Sequence, residues 1–467
     1  MSNAPAEVRY GSGSRGRVSL NARSSRRGWL TVSLLLVLSL LAASLLLLAQ
    51  PAFVHAEETV RPIFTVTKPT YLPYLGQFAP KPPLPLEVRA LWISRFDLGN
   101  PPVTQARLEA LIEAAAGAGF NVILLQVRAT TDAYYTPGLD PWSYRLTSSR
   151  VADLGRDPGW DPLAVAIELA HRRGLELHAY VNAFSVWECG RGAPPHTVPE
   201  HAYWRLAGYN PESLHYDSSW RVHALVNGQP TPMGDASTDP VPCSEYLWGS
   251  PGVERVQAHT EAVLKDIATR YPALDGIHLD RMRYPGRHYS HDPETLAAWR
   301  ATMPPVTFED WQRNHLSDWV ARYSAAIKAV RPGITFSAAV WFTYRKTAAI
   351  TFPTSQGYVD YYQDSHRWLA EGSVDAIAPM IYGATFNSDF AKWQVLAEDH
   401  VRVQAGRQVW LGIGGDMPEF DRISERIAAA RALGARGVAI WSAGAIDTRG
   451  YWDELREGPF KDPARAR

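Results

Sequence analysis

The chain reads as an α/β protein folded into a (β/α)8 TIM barrel. Eight short apolar, β-branched runs recur along it, each followed by a longer amphipathic stretch, and glycine stands where several of those stretches should end. Eight such units in about 370 residues suit one barrel with a long insertion after its third strand. The predicted strands are Val88–Ser94, Phe120–Val127, Leu175–Asn182, Leu274–Asp280, Thr335–Trp341, Val374–Tyr382, Gln408–Gly414 and Gly437–Ser442. The predicted helices include Gln105–Ala118, Pro162–Arg173, Val253–Arg270, Phe308–Val330 and Asp421–Leu433. The first of these has Leu108, Leu111, Ile112 and Ala115 on one face. Gly119, Gly174 and Gly434 supply a residue that can close a helix in the left-handed region. The rival is a doubly wound open sheet. That fold normally places a glycine-rich phosphate loop after its first strand, whereas this strand ends Ser94-Arg95-Phe96-Asp97.

Two segments precede the barrel. Residues 1–27 carry six arginines against Glu7, and residues 28–56 carry no Asp, Glu, Lys or Arg. Basic and acidic residues balance at 47 each, so the remainder from Glu57 onward is acidic, at about −5. No global basic field points to nucleic acid, and none is expected as a partner. The uncharged run Gly28–Gln50, at roughly 20 residues, is long enough to span a bilayer core. The arginines before it should stay inside, and Val54-His55-Ala56 offers a small-x-small cleavage site. Residues 1–56 are therefore expected to be a basic tail with a signal peptide or a membrane anchor, the choice between them staying open. Either way the folded part should work extracellularly or at the cell surface, with membrane contact only through residues 28–50. Seven prolines in residues 57–86 predict an extended linker, and the barrel should fill 87–460.

The insertion expected after the third strand, between Ala183 and Ser250, holds both cysteines of the chain and four tryptophans. Two cysteines exclude a multi-disulfide scaffold or a zinc ribbon. Outside the cytoplasm Cys189 and Cys243 are expected to pair, the alternative being two free thiols.

Barrel chemistry sits at the C-terminal ends of the strands, on side chains of inward parity. The second strand ends with Gln126 and Arg128, the third with His178, Tyr180 and Asn182, and the fourth with His278 and Asp280. A plain core would hold Val, Ile or Leu there. Asp280 is followed by Arg281 and Arg283, and a carboxylate so placed suits a nucleophile or a general base. Each of these residues also has a bland reading as a hydrogen-bonded core group or an ion-pair member. The 17 Trp and 21 Tyr supply flat faces for sugar rings, with Trp341, Tyr382 and Trp441 at strand ends as candidates.

The string LDGIHLDRMRYPG at 274–286 resembles a hallmark of the glycosyl-hydrolase-like family 10 proteins. VRALWIS at 88–94, GFNVILLQVR at 119–128, DPLAVAIELAHRRGLELHAYVNAF at 161–184, VDAIAPMIYG at 374–383 and LGIGG at 411–415 resemble further strand-end motifs of that family, in order. The resemblance spans about residues 87–455. It implies a (β/α)8 barrel related to glycoside hydrolases, often exported or tethered, acting on a carbohydrate, with Asp280 on the family's strand-four carboxylate. Many members carry two consecutive acids where this chain has Asp280-Arg281.

Glycoside hydrolysis normally needs two carboxyls. Asp416, exposed by the Gly414-Gly415 turn, is the preferred second one, ahead of Asp97, Asp132 and Glu188. Three functions stay in play: a glycoside hydrolase, a glycan-binding barrel without a competent acid pair, and a metal-dependent hydrolase using His178, His278 and Asp280. No cofactor or metal is expected, because no local metal-binding signature such as H-E-x-x-H occurs.

Overall fold

The structure, a computed structural model, describes residues 87–404 and 406–464. The expected tail at 1–56 and the linker at 57–86 lie outside the described residues. Strands β1 (Val88–Ile93), β2 (Val122–Arg128) and β3 (Glu176–Asn182) begin the barrel. Four short strands follow in a long connection: β4 (Ser185–Glu188), β5 (His223–Val226), β6 (Gln229–Pro232) and β7 (Tyr246–Trp248). The barrel resumes with β8 (Gly276–Asp280), β9 (Thr335–Val340), β10 (Ala376–Pro379), β11 (Gln408–Gly414) and β12 (Gly437–Trp441). The eight barrel strands are parallel, and β12 pairs back onto β1 to close the ring.

Both faces of these strands are covered, which is why each reads as a near-continuous apolar run. Alternation decides which way each side chain points. Val88, Ala90 and Trp92 of β1 share an inner cluster with Leu124, Tyr180, Ala339, Ala378, Trp410 and Ala439. Their neighbours Leu91, Ile93, Ile123 and Leu125 pack outward with the helices. The narrow lumen alternates large and small side chains. A Cβ built on Gly276 would lie 2.4 Å from His178 Nδ1, so the glycine makes room for that ring inside the barrel.

The helices start and stop where local chemistry directs. Thr104 caps Gln105–Gly117 by accepting from the Arg107 amide, and Asp161 caps Pro162–Arg172 by accepting from the Ala164 amide. Such caps are worth about 1 kcal/mol each. Gly119, Gly174 and Gly434 have φ of +90°, +73° and +77° just past helix ends. The buried stripe of Gln105–Gly117 is Leu108, Leu111, Ile112 and Ala115. Each of its larger side chains contributes roughly 2 kcal/mol by leaving water.

Seven of the predicted strands agree with the structure to within two residues at each end. The sixth does not. Val374–Tyr382 was expected, yet β10 stops at Pro379. Beyond it the Ile381 amide bonds the Pro379 carbonyl and the Tyr382 amide bonds that of Met380, tight turns that take the chain off the ladder. The helix Phe390–Val401 was not anticipated.

In the connection from β3 to β8, β4 pairs antiparallel with β7, and β5 with β6. A disulfide joins Cys189, just after β4, to Cys243, just before β7, with the Cα atoms 6.0 Å apart. Trp187 and Trp220 are fully buried there, so much of the aromatic content of this segment packs its own small core. Among the described residues no helix is long and apolar enough to cross a membrane.

Candidate active site

Register brings the polar strand ends together. Asn182 of β3 pairs with Asp280 of β8, Tyr180 with His278, and Gln126 of β2 with Tyr180. All five therefore rise on the inner face at the C-terminal mouth. The Tyr180 hydroxyl donates to Asp280 Oδ2 at 2.8 Å, while the Arg281 backbone amide donates to Oδ1. Both carboxylate oxygens are thus held in place, and Asp280 stays partly exposed. Burial, with the Asp280 charge next, pushes the Tyr180 hydroxyl well above its ordinary pKa, so it remains a donor. Gln126 accepts from the Arg95 amide at 3.0 Å and lies 3.5 Å from Asn182, which itself donates to the Ala129 carbonyl. These two amides line the wall beside the carboxylate.

Beneath Asp280 lies an aromatic floor. Tyr382 and Trp441 stack in parallel at 5.7 Å, and Trp92 meets both edge-on at 5.8 and 5.9 Å. The Trp92 indole N–H donates to His278 Nε2 at 3.1 Å. An indole can only donate, which puts the imidazole proton on Nδ1, where it reaches Ser337 Oγ at 2.9 Å. Burial, and then the nearby His178, lower the pKa of His278 to about 3. His278 is therefore a neutral strut under the site. His178 sits one layer deeper, over Gly276 and 3.2 Å from Glu176. With both His278 nitrogens engaged and His178 a layer below, the two histidines and Asp280 do not converge as metal ligands. Among the described residues no group of three or more His, Cys, Asp or Glu is placed to hold an ion.

The expected arginines have separate occupations. Arg128 is fully buried and bonds Asp140 at 2.6 Å, with His259 on the other Asp140 oxygen at 2.9 Å. It also donates to the Asn182 carbonyl at 2.7 Å, so it braces the mouth from behind. Arg281 donates from Nη2 to both carboxylate oxygens of Glu245, at 2.9 and 2.8 Å, with its guanidinium over the Tyr246 ring. Neither Arg281 nor Arg283 forms a direct ion pair with Asp280, although against burial its charge raises the pKa of Arg281 and opposes the lowering of that of Arg283. Arg283 instead lies among Trp248, Trp341 and Tyr361. Trp341 thereby stacks beside an arginine and Tyr361 and remains partly exposed.

The second-carboxylate candidates differ in how encumbered they are. Asp97 accepts from the Ser94 amide and hydroxyl, from Ser442 Oγ and from the Gly444 amide, which makes it a staple between the ends of β1 and β12. Glu188 takes Arg95 at 2.7 Å, Tyr144 at 3.1 Å and Arg191 at 3.2 Å. Asp132 is buried and accepts from Thr130. Asp416 is exposed, with one oxygen on Asn387 Nδ2 at 2.7 Å. That oxygen would lie 2.9 Å from a Cβ built on Gly414, so the carboxylate leans back over an inward position of β11. Asp416 is the least committed of the four.

Sequence reasoning missed Trp92, Ser337 and the loop residues Glu245, Tyr246 and Trp248. Trp92 could have been found, since it continues the inward parity of Val88 and Ala90. The loop residues carry no local signal, because the arginines they meet lie more than 30 positions away.

A family model described as "Glycosyl hydrolase-like 10" matches residues 87–421. The chain is 27% identical over 344 residues to "Glycosyl hydrolase YngK" of Bacillus subtilis (strain 168), covering 70% of this chain and 60% of that protein. It is also 27% identical over 320 residues to "Glycosyl hydrolase DigH" of Escherichia coli (strain K12), covering 66% of this chain and 65% of that one. The chain thus spans about three fifths of the length of these curated relatives. The glycoside hydrolase domain of PgaB (BpsB) from Bordetella bronchiseptica shares the fold, with a TM-score of 0.55 and 14% identity. The match covers 79% of this chain and 98% of the domain.

Proposed function

The chain belongs to the glycosyl hydrolase-like 10 family, and from that premise we propose that it hydrolyses glycosidic bonds in an oligo- or polysaccharide outside the cytoplasm. The observation that carries the reading is Asp280, oriented by Tyr180 above an aromatic floor at the barrel mouth. In this reading Asp280 is the nucleophile or the base. The Tyr180 hydroxyl and the Arg281 amide fix its two oxygens, so that a remaining lone pair faces the sugar. Asp416 is the second carboxyl, and Tyr382 and Trp441 offer apolar ring area to the substrate. A carboxyl separation of about 5–5.5 Å would give retention and about 6.5–9.5 Å inversion.

One observation favours a second reading, a glycan-binding barrel without turnover. Arg281 stands where the resemblance expects a second acid, and its side chain is engaged by Glu245. One experiment separates the two readings. The protein is incubated with a broad glycan panel that includes bacterial wall and exopolysaccharides, and both new reducing ends and binding are measured. New reducing ends support the hydrolase, binding without cleavage supports the second reading, and neither would sink both.

Export is supported by the basic tail before the apolar run 28–50 and by the Cys189–Cys243 bridge, a bond that persists in oxidising compartments. Protein taken from its own cells, unfolded without reductant, should show no titratable thiol. Two free thiols in a cytosolic fraction would overturn the export reading.

A further inference from the structure

Arg283 is a buried cation in no direct ion pair; the Asp280 and Glu245 charges act on it only from beyond contact. Its residue exposure is 8%, and among the described residues it has no ion-pair partner. Other arginines of the mouth each have one: Arg95 has Glu188, Arg128 has Asp140, and Arg281 has Glu245. The rings of Trp248, Trp341 and Tyr361 lie nearest its guanidinium, at 5.2, 4.9 and 5.0 Å. Such contacts return part of the lost hydration but supply no acceptor for the N–H groups. Burial, and then the Arg281 charge, depress its pKa to about 10, the direction opposite to that of an arginine held by a carboxylate.

The orientation is specific. Nη1 donates to the Tyr284 carbonyl at 3.2 Å, which fixes the plane of the guanidinium. Nε has no partner, and Nη2 makes no hydrogen bond among the described residues. Nε and Nη2 together form one edge of the fork, the edge that takes the two oxygens of a carboxylate side-on. A buried donor left unsatisfied costs about 1–3 kcal/mol, more when charged, and this one stands three residues from Asp280.

We propose that the Nε/Nη2 edge of Arg283 receives a carboxylate carried by the substrate, so that the barrel acts on an acidic glycan. Trp341 and Tyr361 would then flank the charged group while the Tyr382–Trp441 floor receives the ring. The proposal rests on the reading of this mouth as a glycan site and narrows it to one substrate class.

The test uses matched pairs: uronate-containing polysaccharides and the same polymers after chemical reduction of their carboxyls to alcohols. A neutral glucan and a phosphate-bearing glycan complete the set. The full chain should bind or cleave the acidic member of a pair at least 10-fold better than its reduced form. In Arg283→Gln that ratio should fall toward one, and Arg283→Lys should restore only part of it, because an ammonium cannot offer the two-pronged edge. Thermal unfolding of both variants shows whether either has lost its fold, and Arg283→Lys carries the comparison if Arg283→Gln has. Equal loss on acidic and reduced forms would make Arg283 structural and overturn the proposal. Preference for the neutral or the phosphate-bearing glycan would overturn it too. Cleavage of both forms without preference refutes the acidic class and leaves the hydrolase standing. Binding of the acidic form alone, without cleavage, keeps the acidic class and removes the hydrolase. Failure to bind any member refutes both.

Discussion

Asp280→Asn is expected to lower turnover by about 10³-fold or more while the protein stays folded. The carboxylate is held by two donors, the Tyr180 hydroxyl on Oδ2 and the Arg281 amide on Oδ1. An asparagine keeps the shape but offers one oxygen and one NH2, so one of those donors loses its acceptor. That loss costs about 1–3 kcal/mol, enough to lower the melting temperature and too little to unfold a domain of this size. The chemistry suffers far more. An amide is neither a competent nucleophile for a sugar carbon nor a base for water, and nothing else at the mouth replaces it, because Arg281 occupies the next position. Tyr180→Phe should be the milder change, on the order of 10-fold, since it removes only the group that orients Asp280. Turnover on a cleaved glycan, measured beside circular dichroism, decides the matter. Unchanged activity in Asp280→Asn would move the site elsewhere, with Asp416 and Glu188 next to be substituted. Collapse of the fold would make Asp280 structural.

The barrel was legible because its signals are local. Each strand buried on both faces must be a short apolar run, and each helix needs a stripe and an end, which Gly119, Gly174 and Gly434 announce by their left-handed backbone. Parity carried the reading further. Gln126, His178, Tyr180, Asn182, His278 and Asp280 stand out as polar groups at inward positions, and the register brings those of the mouth together. The sixth strand was overread because hydropathy runs on through Met380, Ile381 and Tyr382, whereas the backbone leaves the ladder at Pro379. A proline inside a predicted barrel strand was the available warning.

Pairing was not legible. Arg128 is held by Asp140, which His259 holds in turn, and nothing local marks a partner 12 positions away or that partner's own, 119 positions further on. Arg281 and Arg283 follow Asp280 so closely that an ion pair was the natural expectation. The positive φ of Arg281, +53°, instead turns the chain so that its amide meets the carboxylate and its side chain meets Glu245 of the connection after β3. Long-range geometry, not residue type, assigns each arginine its task.

Acid should unfold this protein well above the carboxylate range, with stability falling steeply between about pH 6.5 and 4.5. Three buried histidines have their tautomer fixed by a partner that cannot reverse its role, a donor for two and a carbonyl acceptor for the third. His278 Nε2 accepts from the Trp92 indole, His201 Nδ1 accepts from the Tyr203 amide at 3.1 Å, and the His400 ring donates from Nε2 to the Phe342 carbonyl at 3.0 Å. The last arrangement makes His400 Nδ1 the acceptor from His366 Nε2, 3.2 Å away. A second proton on His278 or His201 would set N–H against N–H in a dry interior, and one on His400 would force His366 into its other tautomer. Burial accordingly lowers their pKa values, to about 3 for His278 and about 4 for His201 and His400. The sign follows from which state binds the proton. Below the ordinary value of about 6.5 the unfolded chain takes up protons that the folded chain refuses until its own lower pKa, so stability is complete above that pH and is lost as pH falls. Each such histidine removes up to about 1.4 kcal/mol per pH unit, so three remove on the order of 4 kcal/mol per unit, against a total of about 5–15. Urea midpoints at pH 7.5 and 5.5 should therefore differ greatly. Burial also lowers His315 to about 4 and His366 to about 2, so calorimetry at pH 5.5 in buffers of different ionisation enthalpy should find about five protons or more taken up on unfolding. A flat midpoint across that interval, with no proton uptake, would mean that these rings accept their second proton inside the fold.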